Sequence, residues 1–120
     1  MKSLRIDGGY LLTEMTVYIN GQPLKLNRVL VDTCATHSKL SIQRLVENGI
    51  TLSEASTMEV PYVMNASSLS VGPLKIIDFP LEVKKLQDAN LDGVLGLDFL
   101  KKVGAKINLD AMTLSGSRVI

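Results

Sequence analysis

The chain has 120 residues, read here as a single domain over residues 1–120, large enough for a core yet exposed enough that a partner subunit would help it. Apolar residues make up 46% and charged residues 21%, which sets aside a disordered chain. A net charge of +1 with both signs interspersed, no Trp, three Tyr and two Phe argue against a nucleic-acid or membrane partner. The N-terminal Met1-Lys2-Ser3-Leu4-Arg5-Ile6-Asp7 has no apolar segment of the secretory kind, and no run has the length of a membrane-spanning helix. A single cysteine excludes an internal disulfide, so the expected compartment is a reducing cytoplasm.

Strand signals dominate. From Leu12 to Asn20, Met15, Val17 and Ile19 alternate with Glu14, Thr16 and Tyr18. Asn20-Gly21 is the favoured two-residue hairpin turn, because both positions must accept a positive φ. Leu24 and Leu26 continue the returning strand, and Val29-Leu30-Val31, apolar on both faces, is placed in the interior. Ser41 caps a short helix with Ile42, Leu45 and Val46 on one side and Gly49 as its stop.

Residues 51–68 read as polar and irregular, and Pro61 argues against a central strand there. Strands follow at Leu69 and Val71, at Ile76 and Ile77, and at Leu81 and Val83, punctuated by Gly72-Pro73 and Pro80. Asp98 is placed as the cap of a second helix, Phe99 to Val103, closed by Gly104. Ala105, Ile107 and Leu109 then alternate as a last strand. The total is mostly β with two short helices, a pattern suited to a small closed barrel or sandwich. No linker, low-complexity stretch or internal repeat interrupts it.

Two segments carry chemistry. Val29-Leu30-Val31 runs straight into Asp32-Thr33-Cys34-Ala35, and Val94-Leu95-Gly96 stands later in the chain. With the hairpin Thr16–Gly21, with Leu40-Ser41, and with Asp92-Gly93-Val94-Leu95-Gly96-Leu97-Asp98-Phe99-Leu100, these make the chain resemble the single-domain, retropepsin-like (retroviral-type) aspartic proteases and their bacterial relatives over residues 10–114. The resemblance implies an all-β acid-protease barrel with one or two short helices, assembled as a two-fold homodimer. It implies a peptide or protein substrate, with no cofactor and no metal.

By that resemblance Asp32 is the catalytic aspartate, and Thr33 bonds across to the partner's loop. Cys34, Ala35, Thr36 and His37 stand near the substrate. Val94, Leu95 and Gly96 lie beneath the active-site loop, where a side chain at Gly96 would push the loop away. The helix at Asp98 would lie near the dimer contact. Hydrolysis by carboxylates needs two of them sharing one proton. One Asp-Thr-x-Ala without a repeat then requires the second from an identical subunit. Asp92, a conceivable second carboxylate in the same chain, is read instead as a turn residue before Gly93.

The departures from the family are specific. Cys34 stands where the family has Gly, Thr36 and His37 where retroviral members have acidic residues, and Leu97 where they have Arg. The candidate flap, within residues 51–68, has no Gly; its Met58 and Met64 are either substrate contacts or chance occupants of a half-buried loop. Cys34 admits three readings: a small buried residue, a nucleophile paired with His37, or a metal ligand shared between subunits. His37 reads as a rim residue, able to tune charge preference near neutral pH. Val119-Ile120 is either a closing strand at a dimer contact or simply a chain end. The rival to a peptidase is a catalytically inactive binding or dimerisation module of the same fold.

Overall fold

A computed structural model of the chain describes residues 1–50 and 62–117. Two short strands, β1 (Lys2–Ser3) and β2 (Arg5–Asp7), precede a long hairpin of β3 (Tyr10–Ile19) and β4 (Gln22–Val31). The hairpin turns at Asn20 and Gly21, whose φ of 51° and 77° match the two-residue turn the sequence called for. Next come β5 (Lys39–Ser41), α1 (Ile42–Glu47), a second hairpin of β6 (Tyr62–Val71) and β7 (Leu74–Lys84), β8 (Gly93–Leu95), α2 (Leu97–Lys102), β9 (Ala105–Asn108) and β10 (Thr113–Gly116).

Seven strands pair in the order β2-β3-β4-β8-β5-β7-β6, and β3 also pairs with β6, so the sheet closes into a barrel. A separate three-stranded sheet has the order β1-β10-β9. Strand β4 runs parallel to β8, with Val29 opposite Gly93 and Val31 opposite Leu95. It therefore has a neighbour on each side, as its apolar ending requires. In β3 the register with β4 shifts between Thr13 and Met15. Buried on one side of the main core are Met15, Val17 and Ile19, packed with Leu69, Val71, Leu81, Leu95 and Phe99. Phe79 and Phe99 meet edge to face at 6.2 Å, which fastens α2 to the barrel; burying a side chain of this size contributes about 2–3 kcal/mol.

Several local expectations are corrected. The second hairpin begins at Tyr62, so residues 62–68 are strand and not irregular loop. Met64 lies in the main core and not in a flap. Residues 51–61, with Met58 and Pro61, and residues 118–120, with Val119 and Ile120, lie outside the described residues. Strand β7 runs unbroken through Pro80. It can do so because β5 joins it only from Glu82 onward, which leaves Pro80 with β6 alone as a neighbour.

Helix α1 buries Leu45 but exposes Val46 at 62%, and Ser41 makes no side-chain cap bond. Its C-terminal turn closes when the Ile50 N–H reaches the Leu45 carbonyl at 3.1 Å. Helix α2 starts at Leu97 with Gly96 at the capping position, so Asp98 sits in the first turn. Leu109 lies beyond β9 and is exposed at 62%. Among the described residues no helix is long and apolar enough to cross a membrane.

Candidate active site

Strand β4 delivers Asp32 to the mouth of the barrel. The Asp32 N–H donates to the Leu95 carbonyl at 3.0 Å, extending the β4–β8 pairing by one step. The chain then turns on itself. The Cys34 N–H donates to Asp32 Oδ1 at 2.8 Å, and the Ala35 N–H donates to the Asp32 carbonyl at 3.2 Å. This local bonding ties one carboxylate oxygen to its own loop, and Asp32 lines a cavity.

The loop rests on the segment that the sequence placed beneath it. The Leu97 N–H donates to the Ala35 carbonyl at 2.8 Å, and the Asp98 N–H to the Thr36 carbonyl at 3.2 Å. A Cβ at Gly96 would stand 2.8 Å from the Ala35 carbonyl oxygen and 2.9 Å from that of His37. Both neighbours are backbone, so the loop itself would have to move. Gly96 thus has no room for a side chain beneath this loop, and Val94 and Leu95 are buried beside it.

A second fastening was not anticipated. Ser38 is fully buried. Its hydroxyl donates to Asp98 Oδ1 at 2.7 Å and accepts the Gly96 N–H at 3.0 Å. The Ser38 N–H adds a bond to Asp98 Oδ2 at 2.9 Å. Asp98 therefore does not cap its helix but ties α2 to the end of the Asp32 loop. No periodicity announces such a pair, because its members lie in different elements and meet only after folding.

The other site residues are placed as follows. Thr33, Cys34, Thr36 and His37 are exposed, and Ala35 is half-buried. The exposed Cys34 overturns the reading of a buried, space-filling thiol. Its backbone does not adopt a positive φ, so nothing in the turn demands the glycine conformation there. His37 sets Nδ1 3.4 Å from Glu82 Oε2, and among the described residues no hydrogen bond joins it to Cys34. Among the described residues no three His, Cys, Asp or Glu gather as a metal site.

Asp32 opens on a cavity of about 390 Å³. Leu30, Leu86, Leu91 and Val94 line it and belong to a small cluster separate from the main core, packed with Leu12 and Ala35. Lys39, Lys84 and Asp88 bring charge to its walls. The Tyr10 hydroxyl bonds Asp88, which together with charge repulsion from that carboxylate raises the Tyr10 pKa. A larger, more open depression of about 560 Å³ lies by Thr36, Leu97 and Lys101. It does not include Asp32, so the smaller cavity is where carboxylate chemistry has room.

Asp92 is no second carboxylate of this site, nor a simple turn residue. It is buried, and its Oδ2 accepts the N–H groups of Asn27 and Arg28 at 3.0 Å each. Its Oδ1 accepts Arg44 Nε at 2.6 Å, and this charge partner raises the Arg44 pKa further.

A family model described as aspartyl protease matches residues 15–99. Two solved structures are similar in fold. One is a retropepsin-like aspartic protease from Rickettsia conorii, 20% identical, with a TM-score of 0.64 over 92% of this chain and 84% of that one. The other is the retroviral protease-like domain of Ddi1 from Leishmania major, also 20% identical, with a TM-score of 0.60 over 88% and 87%. No curated protein matches the chain.

Proposed function

The chain belongs to the aspartyl protease family, with a retropepsin-like fold, and on that footing we propose that it hydrolyses peptide bonds with an Asp32 pair formed across a homodimer. The observation that carries this reading is the posture of Asp32. One carboxylate oxygen is held by the Cys34 N–H, and the group borders a half-open cavity. Within the chain, Asp92 is saturated by three donors. Asp88 is engaged by Tyr10 and by the Asn90 N–H at 2.9 Å. An identical subunit is then the source of the second carboxylate, with the site on the two-fold axis.

In the proposed reaction a water lies between the two Asp32 side chains, which share one proton and titrate as a pair. The ionised Asp32 takes a proton from the water as its oxygen bonds to the peptide carbonyl carbon. The protonated Asp32 gives its proton to the carbonyl oxygen. Collapse of the tetrahedral species breaks the C–N bond, and the leaving amine takes up a proton from the pair. Thr33 bonds the partner's loop, and Cys34, Ala35, Thr36 and His37 border the substrate, which lies extended as an added strand. No cofactor or metal enters these steps. A reducing cytoplasm suits the exposed Cys34 thiol.

The test is cleavage of an unfolded protein at mildly acidic pH, by wild type and Asp32→Asn, with light scattering on the same samples. A two-chain mass and a loss of cleavage of roughly 10²–10⁴-fold in the variant are the expected results. Cleavage that survives Asp32→Asn refutes the aspartic mechanism. A one-chain mass up to near-millimolar concentration refutes the shared site. A folded dimer without cleavage moves the assignment to a binding module of the same fold.

A further inference from the structure

Resting on the peptidase reading, we propose that Lys39 and Lys84 form a subsite for a carboxylate of the substrate, carried on a Glu or Asp side chain beside the bond that is cut. Lys39 on β5 and Lys84 at the end of β7 line the same cavity as Asp32. The two strands are parallel neighbours, with Ser41 opposite Lys84, so Lys39 and Lys84 stand on the same face of the pair.

The two other carboxylates nearby, Asp88 and Glu82, have partners of their own. Asp88 accepts from Tyr10 and from the Asn90 N–H. Glu82, opposite Lys39 in register, meets His37 and lines a different cavity. Among the described residues no carboxylate lies within ion-pair distance of Lys39 or Lys84. Lys39 Nζ gives one bond to the His37 carbonyl at 3.2 Å and keeps donors to spare. The floor of Leu30, Leu86, Leu91 and Val94 is apolar. A peptide lying across it excludes water, which strengthens attraction between charges above its value at an open surface.

The substrate class that follows is a peptide with an acidic side chain within reach of the two lysines. A peptide's C-terminal carboxylate has the same chemistry, so peptides blocked at both ends separate the two sources.

The experiment uses blocked peptides that differ only by Glu or Gln at each position flanking the scissile bond. Wild type is expected to favour Glu at one position by about tenfold in kcat/KM, a difference of about 1.4 kcal/mol. Lys84→Met and Lys39→Met should each lower that ratio, and Lys84→Glu should shift preference to a Lys-bearing peptide. Circular dichroism checks that the variants fold. A ratio of one at every position in wild type, or a ratio unchanged in both Met variants, overturns the subsite. Preference seen only with a free C-terminus overturns the side-chain assignment.

The same peptide pairs, made with a reduced and uncleavable amide, are titrated against Asp32→Asn protein by fluorescence anisotropy. Glu-selective binding without any cleavage by wild type refutes the peptidase reading and leaves the subsite standing. Cleavage without Glu selectivity does the reverse.

Discussion

The parallel pair β4–β8 ends in an aspartate at each extremity, and the two are treated in opposite ways. At the end where the strands begin, Asp92 is buried and saturated: two backbone N–H groups and the Arg44 guanidinium consume its oxygens. Where the strands end, Asp32 is half-buried, gives one oxygen to its own loop and faces a cavity. The contrast separates structural from chemical use of one side chain. A carboxylate with both oxygens engaged by donors from other elements holds those elements together. One with an acceptor to spare beside a cavity can receive a proton.

The sharpest test of the contrast exchanges stability for activity. Asp32→Asn should remove cleavage while changing unfolding free energy by no more than about 0.5 kcal/mol. Asp92→Ala strands two backbone donors and a guanidinium, and should cost about 2–3 kcal/mol in urea unfolding. If Asp32→Asn proves the more destabilising of the two, the division of labour is wrong.

Gly96→Ala comes next. Its Cβ would sit under 3 Å from two backbone carbonyl oxygens of the Asp32 loop. The loop must shift, at a cost of about 1–3 kcal/mol, and displacing reacting groups by about an ångström lowers the rate roughly a hundredfold. A variant with wild-type rate and melting temperature would mean that Gly96 does not position the loop.

Cys34→Gly should have a small effect on folding and the opposite sign on rate. The Cys34 N–H bond to Asp32 is backbone, so it survives the change. On the peptidase reading, loss of the side chain beside Asp32 should raise cleavage, by up to about a hundredfold if crowding now displaces the substrate by about an ångström. Added chain freedom should cost about 0.5–1 kcal/mol. Equal and substantial cleavage by both forms would show that the thiol is tolerated at this position.

The parts of this molecule that could be read beforehand are those governed by neighbours in sequence. Asn20-Gly21 needs only its own φ angles, Val29–Val31 only its apolar run, and Asp32 only the loop that follows it. What escaped the reading depends on distant partners. Ser38 and Asp98 are unremarkable until α2 folds back beneath the loop. Asp92 looked like a turn residue because its three donors come from β4 and α1. Leu86 and Leu91 sit among polar residues with no strand or helix period, yet they floor the cleft. Strands β1, β2 and β10 are too short to announce themselves by alternation. Tyr62 to Ser68 was hidden by its polar residues, Asn65, Ser67 and Ser68, which a hairpin strand tolerates on its outer face or with a backbone partner such as the Tyr18 carbonyl.

Strand β3 serves two interiors. Leu12 joins the small cluster beside the cavity, and Met15, Val17 and Ile19 join the main core. Side chains alternate along a strand with a period of two, so Leu12 and Met15, three apart, face opposite ways, while the extra residue of the register shift is taken up in β4 between Leu26 and Val29. The site is thereby sensitive to length where it is indifferent to composition. Replacing Glu14, which is half-exposed and paired with Lys2 and Arg5, disturbs only surface charge. Deleting it would set Leu12 and Met15 two apart, on one face of β3, and so draw Leu12 out of the small cluster beside the cavity.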